Sequence, residues 1–192
     1  MKRLIIEGVA GTGKTTAIEL LKKAVGFENS LIVTEEHTLG ELFSEIQEGK
    51  IPSAHFIKRL ENVIDKLNQD CDSIILERFH HSYYALGIDW ELLKPIDEIL
   101  SRMNFKTVLL DLPKSQLEKR SLKRVERNDV GWETGFLELY GSPEAAINAF
   151  FESQQKRKDS LKLSRLKNCI VDTSLMDWKN IVSNISNFSI CE

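Results

Sequence analysis

Short runs of β-branched and aliphatic residues alternate along the chain with stretches of helical periodicity. Five runs read as buried strands: Arg3 to Glu7, Leu31 to Thr34, Ser73 to Glu77, Thr107 to Asp111 and Cys169 to Asp172. After the first, Thr15 to Val25 predicts a helix whose stripe of Ile18, Leu21 and Val25 packs on the sheet. Leu39 to Gln47 and Ser53 to Asn68 predict two more, broken at Gly49 and Pro52; Phe56, Leu60, Val63, Ile64 and Leu67 form the buried face of the second. Trp90 to Met103 predicts another, with Pro95 marking a kink or a late start. Ser142, Pro143 and Glu144 open a last helix, expected through Phe150, Phe151 and Leu161: a hydroxyl cap, a pre-set φ and an acid at the positive end of the dipole. The stretch Asn128 to Gly141, with Trp132, Phe136 and Tyr140 among its glycines, reads as irregular, a mobile or substrate-specific insertion.

Strands separated by helices imply an α/β fold of three layers, with a five-stranded parallel sheet between helices, because parallel neighbours need right-handed crossovers. A ligand is then expected at the carboxyl ends of the strands. With no linker-like tract in 192 residues, one domain is expected.

Composition narrows the function classes. At 42% hydrophobic and 29% charged the chain reads as an ordinary soluble protein, and a formal charge of -3 gives no general attraction to nucleic acid or anionic membrane. Glu7 interrupts the first apolar run, and no run approaches the roughly 20 residues of a membrane span, so a cytoplasmic protein is expected. Cys71, Cys169 and Cys191 are an odd set without zinc spacing, read as reduced thiols. His80 and His81 are adjacent, with no third ligand at metal spacing, and read as partly exposed helix-start residues.

Against this background one motif stands out. Gly8, Gly11, Thr12, Gly13, Lys14, Thr15 and Thr16 lie in GVAGTGKTT, which fits G-x-x-x-x-G-K-[ST] between a predicted strand and a predicted helix. Glycines let backbone N–H groups turn inward around phosphate oxygens, and the helix adds its positive end. Lys14 reaches the β- and γ-phosphates and the Thr15 hydroxyl suits Mg²⁺, so ATP and Mg²⁺ are the expected cofactors of a P-loop NTPase fold.

Together with Ile6-Glu7-Gly8, the Glu77-Arg78 pair closing the third strand and an arginine series after the fourth, the loop resembles the thymidylate kinase and deoxynucleoside kinase group over nearly the whole chain. The resemblance implies that Glu77 helps to hold Mg²⁺, that Arg78 binds the acceptor or the phosphoryl group in flight, and that Arg120, Arg124 and Arg127 belong to a lid closing over ATP. These three arginines, at i, i+4 and i+7, fall on one face of a helix. Asp111, ending the fourth strand, is a second candidate acid for the metal. The resemblance implies an acceptor-side acid after the second strand: Glu35 if the acceptor is a nucleoside, Glu36 if it is a nucleoside monophosphate. Arg59 falls near an acceptor-binding arginine of thymidylate kinases, and Tyr84-Ala85-Leu86-Gly87 falls where that family reads thymine, without its amide. The expected lid covers about residues 114–142 and the acceptor helices about 38–69.

The expected function is phosphoryl transfer from ATP to a nucleoside monophosphate or nucleoside. A nucleotide-binding module or ATPase without a small-molecule acceptor, and a kinase of another small metabolite, stay open as alternatives. The expected partner is a small-molecule acceptor, not nucleic acid or membrane; the sequence does not fix the oligomeric state, and a homodimer is suggested only by analogy with related kinases.

Overall fold

A computed structural model describes residues 1–38, 53–67, 71–123 and 130–190. The five strands are Lys2–Glu7 (β1), Ser30–Val33 (β2), Ser73–Glu77 (β3), Lys106–Asp111 (β4) and Lys167–Asp172 (β5). They form one parallel sheet in the order β2-β3-β1-β4-β5, with register pairs such as Leu4↔Ile75 and Ile6↔Val108. Helices flank the sheet, giving the three-layer α/β/α architecture of a P-loop NTPase. Each predicted strand is present within a residue or two of its expected limits.

The pleat explains the layering, because successive side chains on a strand point to opposite faces. On β1, Ile5 joins one core with Ile74 and Leu76, while Leu4 and Ile6 join the other with Ile75. Each of these side chains is fully buried, contributing about 1.5–3 kcal/mol. The first core is covered by Ser53–Asp65 (α3), His80–Ala85 (α4) and Trp90–Arg102 (α5), numbered after the short Glu35–Thr38 (α2). The second is covered by Lys14–Leu21 (α1) and a C-terminal helix, Trp178–Ile190 (α9).

Several expectations change. Helix α1 ends at Leu21, and Val25, expected on its apolar stripe, is 87% exposed; the chain turns through Gly26 and inserts Phe27 in its place. Pro95 lies inside α5, which starts at Trp90 on an Asp89 cap whose carboxylate accepts from Glu91 N–H. The expected helix Leu39 to Gln47 lies outside the described residues.

After β4 come Lys114–Leu117 (α6) and a π-helical turn, Glu118–Leu122, closed by Lys123 N–H on the Glu118 carbonyl. The supposedly irregular stretch is a helix, Val130–Tyr140 (α7). Its glycines argue against a helix at about 1 kcal/mol each relative to Ala. Trp132, Phe136 and Tyr140, spaced at i, i+4 and i+8, outweigh them by packing as one face. The following Pro143–Leu163 (α8) begins as expected, with Ser142 Oγ accepting from Ala145 N–H at 3.2 Å.

Candidate active site

The segment 8–16 leaves the carboxyl end of β1 as a tight loop and enters α1. Two glycines are required by contact as well as by conformation. Gly11 has φ 78°, and a Cβ there would lie 2.1 Å from the Arg120 carbonyl oxygen; Gly13 has φ 89°, and a Cβ there would lie 2.0 Å from the Trp178 ring. Thr12 Oγ1 donates to the Val9 carbonyl at 2.9 Å, and Thr16 is half-buried.

Lys14 is buried, and its Nζ donates to the carbonyls of Gly8 at 3.0 Å and Val9 at 3.3 Å. Burial first, and then the nearby Arg78 guanidinium, pull its pKa down to about 7. An amine held by backbone carbonyls, in a glycine-rich loop that leads into the N-terminus of a helix, fits the phosphates of a nucleotide.

Beside the loop, Thr15, Thr34, Glu35, Glu36 and Glu77 line one open cavity of about 480 Å³. Its lining side chains offer hydroxyl and carboxylate oxygens, the hard donors that suit Mg²⁺. Asp111 is elsewhere: its Oδ2 accepts from Lys158 Nζ at 2.9 Å, and it does not line this cavity.

Glu35 also lines a second, larger opening of about 620 Å³. Here Arg78 Nη1 donates to the Glu35 carboxylate. The Arg78 backbone sits in the left-handed region, at φ 54°, a conformation that costs a non-glycine residue about 1–2 kcal/mol. Its Nε is buried without a hydrogen-bond partner among the described residues. Strain and an orphaned donor in one side chain are tolerated where the surroundings over-determine them, as at ligand sites.

Beneath this opening lies a network absent from the sequence reading. Glu7, fully buried, accepts from Phe79 N–H at 2.8 Å, Ser82 Oγ at 2.7 Å and Arg157 Nε at 3.3 Å. Arg157 also donates to Ser153 and Ser82, and lines the cavity. Burial is the largest influence on Arg157, lowering its pKa to about 10, with the Glu7 charge opposing that shift. Arg78 and Arg157 both act on Lys14 electrostatically, so the three cations share one region with Glu35 and Glu77.

The remaining lining includes Val9 and Ala10 of the phosphate loop and Ala85 and Leu86 at the end of α4. Trp132, Phe136 and Tyr140 of α7 join Phe150 of α8 as an aromatic wall. The segment 84–87, singled out for the acceptor, thus reaches the cavity, as do Trp132, Phe136 and Tyr140 of the stretch read as a mobile or substrate-specific insertion, whereas the helical form of that stretch and the contribution of α8 were missed. The i, i+4, i+8 spacing of the α7 aromatics was the available signal.

Other candidates lie apart. Arg59 Nη2 donates to the carbonyls of Glu36 and His37, each at 3.4 Å, and clasps the α2 turn. Arg120 is buried in the π turn, where its Nη1 donates to the Thr173 carbonyl at 2.5 Å. That turn breaks the regular phase behind the expected shared face; Arg124 and Arg127 lie outside the described residues.

His80 and His81 do start a helix, but both are fully buried. Asp97 of α5 arrives as the third group that sequence spacing did not offer, within 4.8 Å of both. The cluster is a hydrogen-bond network: His80 Nε2 meets Asp97 at 3.0 Å, and His81 meets Ser160 at 2.9 Å and Thr107 at 3.1 Å. Asp97 also accepts from Ser164 Oγ and Arg165 N–H. Burial, then His80, keeps the His81 pKa well below its ordinary value.

A family model described as an AAA domain matches residues 4–133, more than half of the chain, and the chain belongs to that family. No curated protein matches it. Among solved structures it is similar to the YorR protein of Bacillus subtilis in complex with phosphorylated GDP, at 16% identity and TM-score 0.64, covering 96% of this chain and 94% of that one. It is also similar to shikimate kinase of Bacteroides thetaiotaomicron, at 14% identity and TM-score 0.58 over 97% and 96% of the two chains. Thymidylate kinase of Ehrlichia chaffeensis matches at 16% identity and TM-score 0.54 over 97% of each. Likeness at this identity shows the fold, that of P-loop kinases, and spans acceptors of different chemistry. Among the described residues no helix is long and apolar enough to cross a membrane.

Proposed function

We propose that the chain transfers the γ-phosphoryl group of ATP to a nucleoside monophosphate or a nucleoside. The observation that carries this reading is the continuity of the larger cavity. Val9 and Ala10 of the phosphate loop share its lining with Glu35, Arg78 and Arg157, so an acceptor in it would abut the phosphates held by the loop.

In this reading the loop N–H groups and Lys14 bind the β- and γ-phosphates. Phosphate oxygens beside a buried amine favour its charged form, so binding restores the charge that burial weakens. Thr15 and Glu77 would hold Mg²⁺, whereas Asp111, paired with Lys158 outside that cavity, is set aside; when bound, the ion neutralises and orients phosphate oxygens. An acceptor oxygen attacks the γ-phosphorus as the bond to the ADP oxygen breaks. If that oxygen is a hydroxyl, its proton passes to Glu35, the half-exposed acid paired with Arg78, or to Glu36; a phosphate oxygen needs no base. Arg78 stabilises the charge on the group in flight. Arg124 and Arg127 are proposed for the nucleotide side by resemblance, whereas the Arg120 guanidinium is engaged by the Thr173 carbonyl and only its main-chain carbonyl packs beside Gly11.

The test is ADP release from ATP across nucleosides, nucleoside monophosphates and unrelated hydroxyl metabolites including shikimate. A nucleoside or its monophosphate is expected to raise turnover above basal hydrolysis. If ATP binds but no acceptor raises turnover, the chain is a nucleotide-binding module; if shikimate alone does, the acceptor class is wrong.

A further inference from the structure

We infer that Phe136, with Trp132, Tyr140 and Phe150, forms the seat of a nucleobase, so that the acceptor is selected through a flat heterocyclic ring. The inference rests on the reading above that this cavity holds the acceptor, and deepens it.

Phe136 is the centre of the wall. Its ring lies 4.6 Å from Trp132 and 4.8 Å from Phe150, stacked on the latter at 26°, and 5.9 Å from Tyr140 at 23°. Trp132, Phe136 and Tyr140 are half-buried and line the cavity with apolar ring surface, the kind of lining that small-molecule pockets have. Trp132, Phe136, Leu137 and Tyr140 also pack on the core formed by Leu117, Leu122, Ala146 and Phe150, which anchors the wall while part of its ring surface stays open.

The wall is fixed relative to the phosphate loop. Trp132 Nε1 donates to the Ser121 carbonyl at 2.9 Å, and Ser121 Oγ donates to the Ala10 carbonyl at 2.6 Å. Along α8 the cavity is lined from Ala149 to Arg157, a rise of about 12 Å, which is the length scale of a nucleotide. Glu152 and Lys156, one turn apart on that face, offer a hydrogen-bond acceptor and donors for a ring edge.

The chemistry separates two acceptor classes. A saturated polyol acid would bring hydroxyls against aromatic faces that cannot hydrogen-bond them, at a desolvation cost. A nucleobase stacks on such faces, gaining about tenfold to a hundredfold in affinity per base.

Equilibrium binding tests this without turnover. AMP, GMP, CMP and UMP are each compared with ribose 5-phosphate, which keeps sugar and phosphate but lacks the ring, with the ATP site saturated by a non-hydrolysable analogue. At least one nucleotide is expected to bind about tenfold or more tightly than ribose 5-phosphate. Phe136→Leu, which keeps apolar volume and removes the aromatic face, is expected to erase most of that ratio while leaving ribose 5-phosphate affinity unchanged. A wild-type chain that binds no nucleotide more tightly than ribose 5-phosphate overturns the inference, as does a ratio preserved in a folded Phe136→Leu.

A second readout is independent of that variant's folding: the preferred nucleotide should quench the part of the emission that Trp132→Phe removes, and unchanged emission overturns the wall. A ring preference without ADP release for any acceptor would retain the base seat and defeat the kinase reading. Nucleotide phosphorylation by a chain indifferent to the ring would do the reverse.

Discussion

The phosphate loop and the larger cavity meet at Val9 and Ala10 but are built in opposite ways. The loop is one contiguous segment whose chemistry comes mainly from backbone groups and one lysine, with glycines placed where Arg120 and Trp178 approach. The cavity draws on α2, the end of β3, the end of α4, and faces of α7 and α8. Local geometry fixes the first, and long-range packing fixes the second. A contiguous motif can therefore persist while the acceptor changes, consistent with a shared fold among kinases of unlike acceptors.

The largest expected effect is on the network beneath both regions. Glu7→Ala strands the Arg157 charge and removes the acceptor for Phe79 N–H and Ser82, costing about 3–5 kcal/mol in urea unfolding. A loss under about 1 kcal/mol would show that the cavity floor does not depend on it.

Arg78→Gly sharpens the contrast by separating function from stability. Glycine relieves the left-handed backbone by about 1–2 kcal/mol, while the lost pair with the 39%-exposed Glu35 carboxylate costs at most about 1 kcal/mol. Transfer should fall about 10²- to 10³-fold in kcat/KM with the melting temperature level or raised. A fall in melting temperature with transfer intact would assign Arg78 to structure.

His81 tests the cavity's support from behind. Because its folded pKa is depressed, the buried ring stays neutral while the unfolded chain takes up a proton near pH 6.5. Stability present above that pH should therefore fall as pH drops below it, by about 1.4 kcal/mol per unit for this one group, until the folded pKa is reached. Chemical denaturation of His81→Gln from pH 7 to 5 should show a shallower slope, and an unchanged slope would contradict the assignment.

The smallest effect concerns the wall. Gly135 sits inside α7, and a Cβ there would meet nothing within 4 Å. Gly135→Ala should stabilise the helix by about 1 kcal/mol, raising the melting temperature about 2–4 °C. A decrease on calorimetry would show that α7 needs the glycine for another reason.

The same contrast governs what the sequence disclosed. The inner strands β1, β3 and β4 were legible because buried parallel strands read as continuous apolar runs, whereas the edge strands β2 and β5, expected to be buried, are half-buried and largely exposed and were legible only as short aliphatic runs. The loop was legible because its residues are contiguous and flanked by the strand and helix it requires. Helix α7 was obscured by its glycines. Helix α9 was overlooked although Ile181, Ile185 and Phe188 carry a helical period. The Glu7 and Arg157 partnership joins residues far apart in sequence, and no local pattern announces it. Both histidines looked exposed because their partners, Asp97, Thr107 and Ser160, arrive from other elements.

The central claim is that the cavity beside the phosphate loop receives the phosphoryl group. The most direct measurement follows label from γ-labelled ATP in the presence of nucleosides and nucleoside monophosphates. The account predicts label on one such acceptor in step with ADP formed, and none with Lys14→Ala. Label found in inorganic phosphate alone, at a rate indifferent to every acceptor, would contradict it.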